Sequence, residues 1–199
     1  MAASVTATSA PVLIGGIVAW EGIFSAAELD AIEQYGDGLA HENAGLVADI
    51  ASHDRLRKTK VAWVERDSRT EAWYLRLEEI VLHLNNQYFR FDLSGLAQFQ
   101  HAVYDVSDGG YFDWHKDYGR DPSNRSLEPR KLTMSVQLTD PSHYEGCELQ
   151  IRAGNQIDIA PKSRGTIVAF PANVLHRVTP IVSGTRKSLV AWAFGPDFR

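Results

Sequence analysis

The sequence predicts a mainly β chain with α-helices in its N-terminal half: an antiparallel barrel or sandwich, with a helix packed flat against one sheet. Three observations point there. From about Gln98 onward, short β-type runs alternate with Gly, Pro, Asn and Asp. Leu132 to Leu138 alternates apolar and polar residues without a break. The first half instead carries two helical patterns, each preceded by a capping signal. A chain of 199 residues with ordinary apolar and charged fractions suits a single soluble domain with a sizeable core. We divide it into a mobile lead-in (1–10), a helical and strand buttress (11–97) and a β core (98–199).

The lead-in, rich in Ala, Ser and Thr, has no periodicity. At Ser25 to Glu28 a capping box opens the first helix, with Phe24 and Leu29 placed as a hydrophobic staple and Gly36 as its stop. A second capping pattern, Ser68 to Glu71, precedes Trp73, Leu77, Ile80, Val81, Leu84 and Tyr88, which share one helical face. Between the helices, the basic stretch Arg55 to Lys60 leads into the apolar Val61 to Val64, which reads as a hairpin near the barrel mouth. Within the core, Thr133, Ser135 and Gln137 share one strand face and the apolar set takes the other, so a polar face lines a pocket. Further strands are expected at Gly146 to Arg152, Gln156 to Ile159, Thr166 to Phe170, Val174 to Thr179 and Lys187 to Phe194.

Composition narrows the function classes. A net charge of -5 argues against binding nucleic acid through phosphate neutralisation. Cys147 is the only cysteine, which excludes an intrachain disulfide framework and cysteine-rich zinc sites and fits a reducing, cytoplasmic setting. The apolar run Val12 to Trp20 is too short to span a bilayer, and no basic signal-peptide start precedes it, so no membrane partner is expected.

The chemistry concentrates in four residues. His115 and Asp117 are two apart, so on an extended strand they point to one side and grip one ion together. His176 would complete a two-histidine, one-carboxylate facial triad. Such a triad leaves three positions of an octahedral ion open, which suits ferrous iron holding a co-substrate and dioxygen. Arg186, ten residues after His176, would anchor an anionic co-substrate.

Tyr104, Gly109-Gly110-Tyr111, Trp114 to Asp117, Gly165-Thr166, Phe170-Pro171, His176 to Pro180 and Gly184 to Arg186 together resemble the iron- and 2-oxoglutarate-dependent dioxygenases, most closely the prolyl 4-hydroxylase-like branch. The resemblance covers Gln98 to Trp192 and implies a double-stranded β-helix, a jelly-roll or cupin-like barrel buttressed by the N-terminal helices. It implies His115, Asp117 and His176 as Fe(II) ligands and Arg186 as the partner of the distal carboxylate of 2-oxoglutarate. Tyr104, Gln137, Thr133 and Trp192 join it as co-substrate contacts or pocket wall. The implied reaction couples decarboxylation of 2-oxoglutarate to succinate and carbon dioxide, using dioxygen, with hydroxylation of an aliphatic carbon. The substrate would be a prolyl or other residue in a peptide or protein, or a free amino-acid-like small molecule. Asp117, where halogenating relatives carry a small residue, favours hydroxylation.

Plainer readings stand beside these. Any His-x-Asp pair can be a solvated strand edge, Tyr104 a strand aromatic, and Arg186 one half of a surface salt bridge. Asp113 shares the face of His115 by alternation and reads as a supporting residue. His41, His53, His101 and His143 read as ordinary loop or strand histidines, and Glu79 with His83 as a solvated helical pair. Arg55 to Lys60 is either a charged loop or a segment closing over substrate. The rival function is a non-catalytic β-barrel protein that binds or senses a metal or small ligand.

Overall fold

The computed structural model describes residues 9–44, 56–96, 99–120 and 128–198. Residues 1–8 of the lead-in, His53, Arg55 and Gln98 lie outside the described residues. Its elements run β1 (Val12–Ile14), β2 (Ile17–Trp20), α1 (Ala26–Asp37), β3 (Glu42–Asn43), β4 (Arg57–Lys58), β5 (Lys60–Val64) and α2 (Glu71–Leu84). There follow β6 (Gly95–Leu96), β7 (Phe99–Asp105), β8 (Tyr111–His115), β9 (Arg130–Gln137), β10 (Tyr144–Gly146) and β11 (Leu149–Ala153). The chain ends with β12 (Gln156–Ile159), β13 (Ile167–Pro171), β14 (Leu175–Val178) and β15 (Ile181–Phe194).

These strands form two antiparallel sheets. The major sheet runs β1-β2-β13-β9-β15-β7-β5-β3, with β6 and β10 also paired to β15, and the minor sheet runs β12-β11-β14-β8-β4. Strand alternation then sorts the side chains. Leu132, Met134 and Val136 of β9, with Leu138 just beyond its end, join Leu189 and Ala191 of β15 in a core under the helices. Thr133, Ser135 and Gln137 turn the other way and are buried between the sheets. A second apolar cluster there, with Phe112, Ile151, Phe170 and Val178, joins the sheets. This is the double-stranded β-helix expected from the sequence.

Helix α1 starts as expected: Ser25 Oγ accepts the Glu28 N–H at 3.2 Å, and the Glu28 carboxylate accepts the Ser25 N–H at 2.7 Å. Its end differs. Gly36 is inside the helix and Gly38 caps it, because Gly36 is where the helix meets β7: a Cβ there would lie 2.4 Å from the His101 ring. Helix α2 is capped at Thr70, not Ser68, and the Thr70 hydroxyl donates instead to the Glu65 carbonyl at 2.6 Å. Leu77, Ile80 and Leu84 of α2 are fully buried, each contributing about 1.5–3 kcal/mol.

Two strand expectations are corrected. Gly146 to Arg152 is two strands, because the backbone turns through left-handed conformations at Gly146 and Cys147. Arg57 to Val64 is not a hairpin: β4 pairs with β8 in the minor sheet and β5 with β7 in the major one, so the chain crosses between sheets at Thr59. The strand expected from Lys187 begins earlier, at Ile181.

His101 points away from the barrel interior and is fully buried, its Nδ1 2.9 Å from His41 Nε2. His41 Nδ1 lies 3.0 Å from the Leu39 carbonyl, so that nitrogen carries the proton and Nε2 accepts from His101. Burial, and then the neighbouring His41, lower the His101 pKa from 6.5 to about 4. The unfolded chain takes up this proton first, so stability is fully present above about pH 6.5 and falls as the pH drops toward 4. The expected loss is up to about 3 kcal/mol, read from urea midpoints at pH 7 and pH 4.5. His101→Gln should make the profile shallower, leaving the part that the likewise lowered His115 contributes; an equally steep variant would remove His101 as a cause.

Candidate metal and co-substrate site

The two histidines meet because β8 and β14 are neighbours with His115 opposite His176, ring centroids 4.1 Å apart. Asp117 lies two residues past the end of β8, held by a Tyr118 N–H to Ala172 carbonyl bond of 2.8 Å. Its carboxylate is nevertheless turned inward. Oδ2 accepts from Thr133 Oγ1 at 2.8 Å and from Trp192 Nε1 at 2.9 Å. Asp117 Oδ1 is 3.7 Å from His115 Nε2, and Oδ2 is 3.4 Å from His176 Nε2. One ligand atom from each of the three residues lies within 4.8 Å of the others, the only such cluster among the described residues.

The protonation pattern suits a cation. His115 Nδ1 is 2.7 Å from the Asp113 carbonyl and His176 Nδ1 is 3.0 Å from the Val174 carbonyl, so each Nδ1 donates and each Nε2 faces the cluster, the His176 one by giving up its proton to a metal. Burial, with the adjacent His176, lowers the His115 pKa to about 3, leaving a neutral imidazole at neutral pH. Burial would raise the Asp117 pKa, but His176 beside it prevails and holds the carboxyl ionised. Burial works against a charged His176, and Asp117 outweighs it and raises that pKa. Two imidazoles whose Nε2 atoms converge on a carboxylate make a donor set that a divalent transition metal fits, the metal replacing the proton shared by His176 and Asp117.

A cavity of about 340 Å³ runs from this cluster to Arg186 on β15, which is only 4 % exposed. Arg186 Nε donates to Gln137 Oε1 at 3.1 Å, and Gln137 Nε2 donates to the Tyr144 hydroxyl at 2.8 Å. The Arg186 guanidinium carbon lies 5.5 Å from the centre of the Tyr104 ring. Among the described residues no carboxylate pairs with it, so the surface salt bridge is excluded as its role there. Its neighbour Lys187 turns outward, as alternation requires, and pairs with Asp37 of α1 at 2.6 Å.

Every residue singled out with the quartet lines this space or its floor: Tyr104, Thr133, Trp192 and Gln137. Thr133 and Trp192 line the cavity and also donate to Asp117 Oδ2, a contact the sequence did not suggest. Asp113 is exposed, and its carboxylate accepts the Trp114 N–H at 2.8 Å, which takes it out of the cavity. His83 packs against Trp20 with ring centroids 4.8 Å apart and belongs to no ligand cluster. Sequence reasoning missed three residues: Tyr144, Phe112, whose ring stacks on His115 at 3.4 Å, and Arg57 as an individual side chain. A signal existed only for Arg57, in the basic run already noted.

Thr133→Val removes one donor from Asp117 without changing side-chain volume much. Loss of such a supporting hydrogen bond is expected to weaken metal binding about 10–100-fold with little change in folding stability. Titration calorimetry with Mn(II) reads this directly; unchanged affinity would mean that Trp192 alone holds the carboxylate.

Residues 99–194 match the profile of the 2OG-Fe(II) oxygenase superfamily, a span that contains the whole cluster and Arg186. A PKHD-type hydroxylase of Synechococcus sp. (strain JA-2-3B'a(2-13)) is 25% identical over 121 residues, 59% of this chain and 53% of that protein. A PKHD-type hydroxylase of Synechococcus sp. (strain CC9311) is 35% identical over 85 residues, 43% of this chain and 36% of that one. The chain thus spans about half or less of the length of these relatives. Among solved structures, a Pseudomonas putida prolyl-4-hydroxylase superposes with a TM-score of 0.71 at 18% identity, covering 92% of this chain and 94% of that one. A prolyl hydroxylase from Trichoplax adhaerens, in complex with a hypoxia inducible factor peptide fragment, gives a TM-score of 0.70 at 17% identity, covering 90% and 84%. Profile, relatives and fold agree with the order and spacing of His115, Asp117, His176 and Arg186: over residues 99–194 the chain matches the 2OG-Fe(II) oxygenase superfamily, on a fold shared with solved prolyl hydroxylases.

Proposed function

We propose that the chain is a hydroxylase that uses Fe(II), 2-oxoglutarate and dioxygen to place a hydroxyl group on an aliphatic carbon. The substrate is a prolyl or other amino-acid residue of a peptide or protein, or a free amino-acid-like molecule, and succinate and carbon dioxide are the co-products. The observation that carries this is one cavity with a three-residue cation site at one end and at the other the buried Arg186, which has no carboxylate partner among the described residues.

His115, Asp117 and His176 hold the iron, which when bound supplies the activation of dioxygen. Arg186, steadied by Gln137, would pair with the distal carboxylate of 2-oxoglutarate, and Tyr104 and Tyr144 offer their phenols beside it. Thr133 and Trp192 fix the Asp117 carboxylate so that it stays with the metal. Apolar walls from Phe112, Leu149, Phe170 and Val178 keep bulk water from the reacting carbon. Asp117 fills the position that would otherwise admit a halide, which supports hydroxylation.

Among the described residues no helix is long and apolar enough to cross a membrane, and the single cysteine, Cys147, is buried. A cytoplasmic location fits that unpaired thiol. The test is an anaerobic titration of metal-free protein with Fe(II) and 2-oxoglutarate, followed by the weak visible charge-transfer band of the chelate. Iron binding without a band would favour the metal-binding rival.

A further inference from the structure

Arg57 occupies the edge of the minor sheet, opposite Phe112 in register, with its guanidinium carbon 4.5 Å from the centre of the Phe112 ring. Phe112 in turn stacks on His115. From there Arg57 Nη2 donates across to Gln100 Oε1 of the major sheet at 3.1 Å, so the side chain bridges the two sheets over the cavity. Its Nε is shut off from solvent with no hydrogen-bond partner among the described residues. No carboxylate there pairs with it; the acid whose charge it feels is Asp117, already committed to Thr133, Trp192 and the histidines.

A half-buried cation whose neighbours Gln100, Phe112 and Tyr104 carry no charge is a ready partner for an incoming anion. The charges of the proposed site show which one. A divalent metal, Asp117, Arg186 and doubly negative 2-oxoglutarate sum to zero, and Arg57 is left over. Arg130 and Lys116 line the same mouth and add to its positive potential. The co-substrate's two carboxylates have partners in the metal and Arg186, so the remaining anion belongs to the substrate.

We propose that Arg57 is a specificity-determining residue that binds a carboxylate carried by the substrate close to the carbon that is hydroxylated. This rests on the oxygenase reading and names the substrate class for it. The carboxylate is either the α-carboxylate of a free amino acid or an acidic side chain next to the target residue in a peptide. A planar fork holds either in a fixed orientation, which is what selection of one carbon requires.

The experiment uses the full chain loaded anaerobically with Fe(II) and 2-oxoglutarate. The probes are the L-amino acids paired with their primary amides, and blocked dipeptides in which Asp or Asn flanks the same residue, with binding read by calorimetry. At least one acid is expected to bind tenfold or more tightly than its neutral twin, with that preference lost in Arg57→Gln and partly kept in Arg57→Lys. Whether the preferred probe is the free acid or the dipeptide identifies the source. Equal binding of acid and amide, binding of no probe, or a preference unchanged in Arg57→Gln overturns the proposal. Loss of the charge-transfer band in Arg57→Gln also overturns it, by assigning Arg57 to the co-substrate. A wild-type chain without the band fails the oxygenase reading separately, because the acid and amide comparison on metal-loaded protein needs neither the band nor turnover.

Discussion

Asp117→Ala is expected to weaken Fe(II) binding by more than about a hundredfold and to abolish the visible band that Fe(II) and 2-oxoglutarate produce in the wild type. The carboxylate is the only anionic member of the cluster, and both its oxygens face histidine nitrogens, at 3.7 and 3.4 Å. Without it, two neutral imidazoles remain to hold a doubly charged ion. The variant should still fold: orphaning the Thr133 and Trp192 donors costs about 1–3 kcal/mol, and removing a buried carboxylate offsets part of this. Circular dichroism and a urea midpoint separate the two effects. A folded variant that keeps both iron and the band would sink the assignment of Asp117 as a ligand.

Much of the site was legible because its signals are local or periodic. The alternation in β9 told which side chains line the cavity, and each inward residue follows from it. The capping box of α1 was legible because its partners are three residues apart. What was illegible depends on partners far away in sequence. Gly36 looks like a helix stop, yet it is a glycine because the His101 ring, 65 residues on, leaves no room for a Cβ. The contact of His41 with His101 spans 60 residues, and neither histidine has a local signal. Tyr144 reaches Arg186 only because β10 pairs with β15, and Arg57 enters the cavity only because β4 adds to the edge of β8. Asp117 is a mixed case: two-residue spacing suggested one strand with His115, whereas the strand ends at His115 and hydrogen bonds from β9 and β15 aim the carboxylate.

Arg186→Ala should do the reverse of Asp117→Ala, leaving metal binding intact while weakening 2-oxoglutarate by roughly 30- to 5,000-fold, the effect of deleting one partner of a buried charge pair. The separation follows from the fold. His176 belongs to the minor sheet and Arg186 to the major sheet, and the nine residues between them carry the chain across the barrel. The guanidinium is therefore independent of the metal ligands, and its own supports are Gln137 on β9 and Tyr144 on β10. Arg186→Lys should recover only part of the affinity, because an ammonium supplies the charge but not the planar fork, and it leaves the Gln137 carbonyl without its present donor. The measurement is the 2-oxoglutarate concentration that half-develops the band at saturating Fe(II). An Ala variant with an unchanged midpoint would place the distal carboxylate elsewhere, and Arg57 would be the next arginine on the cavity wall to test.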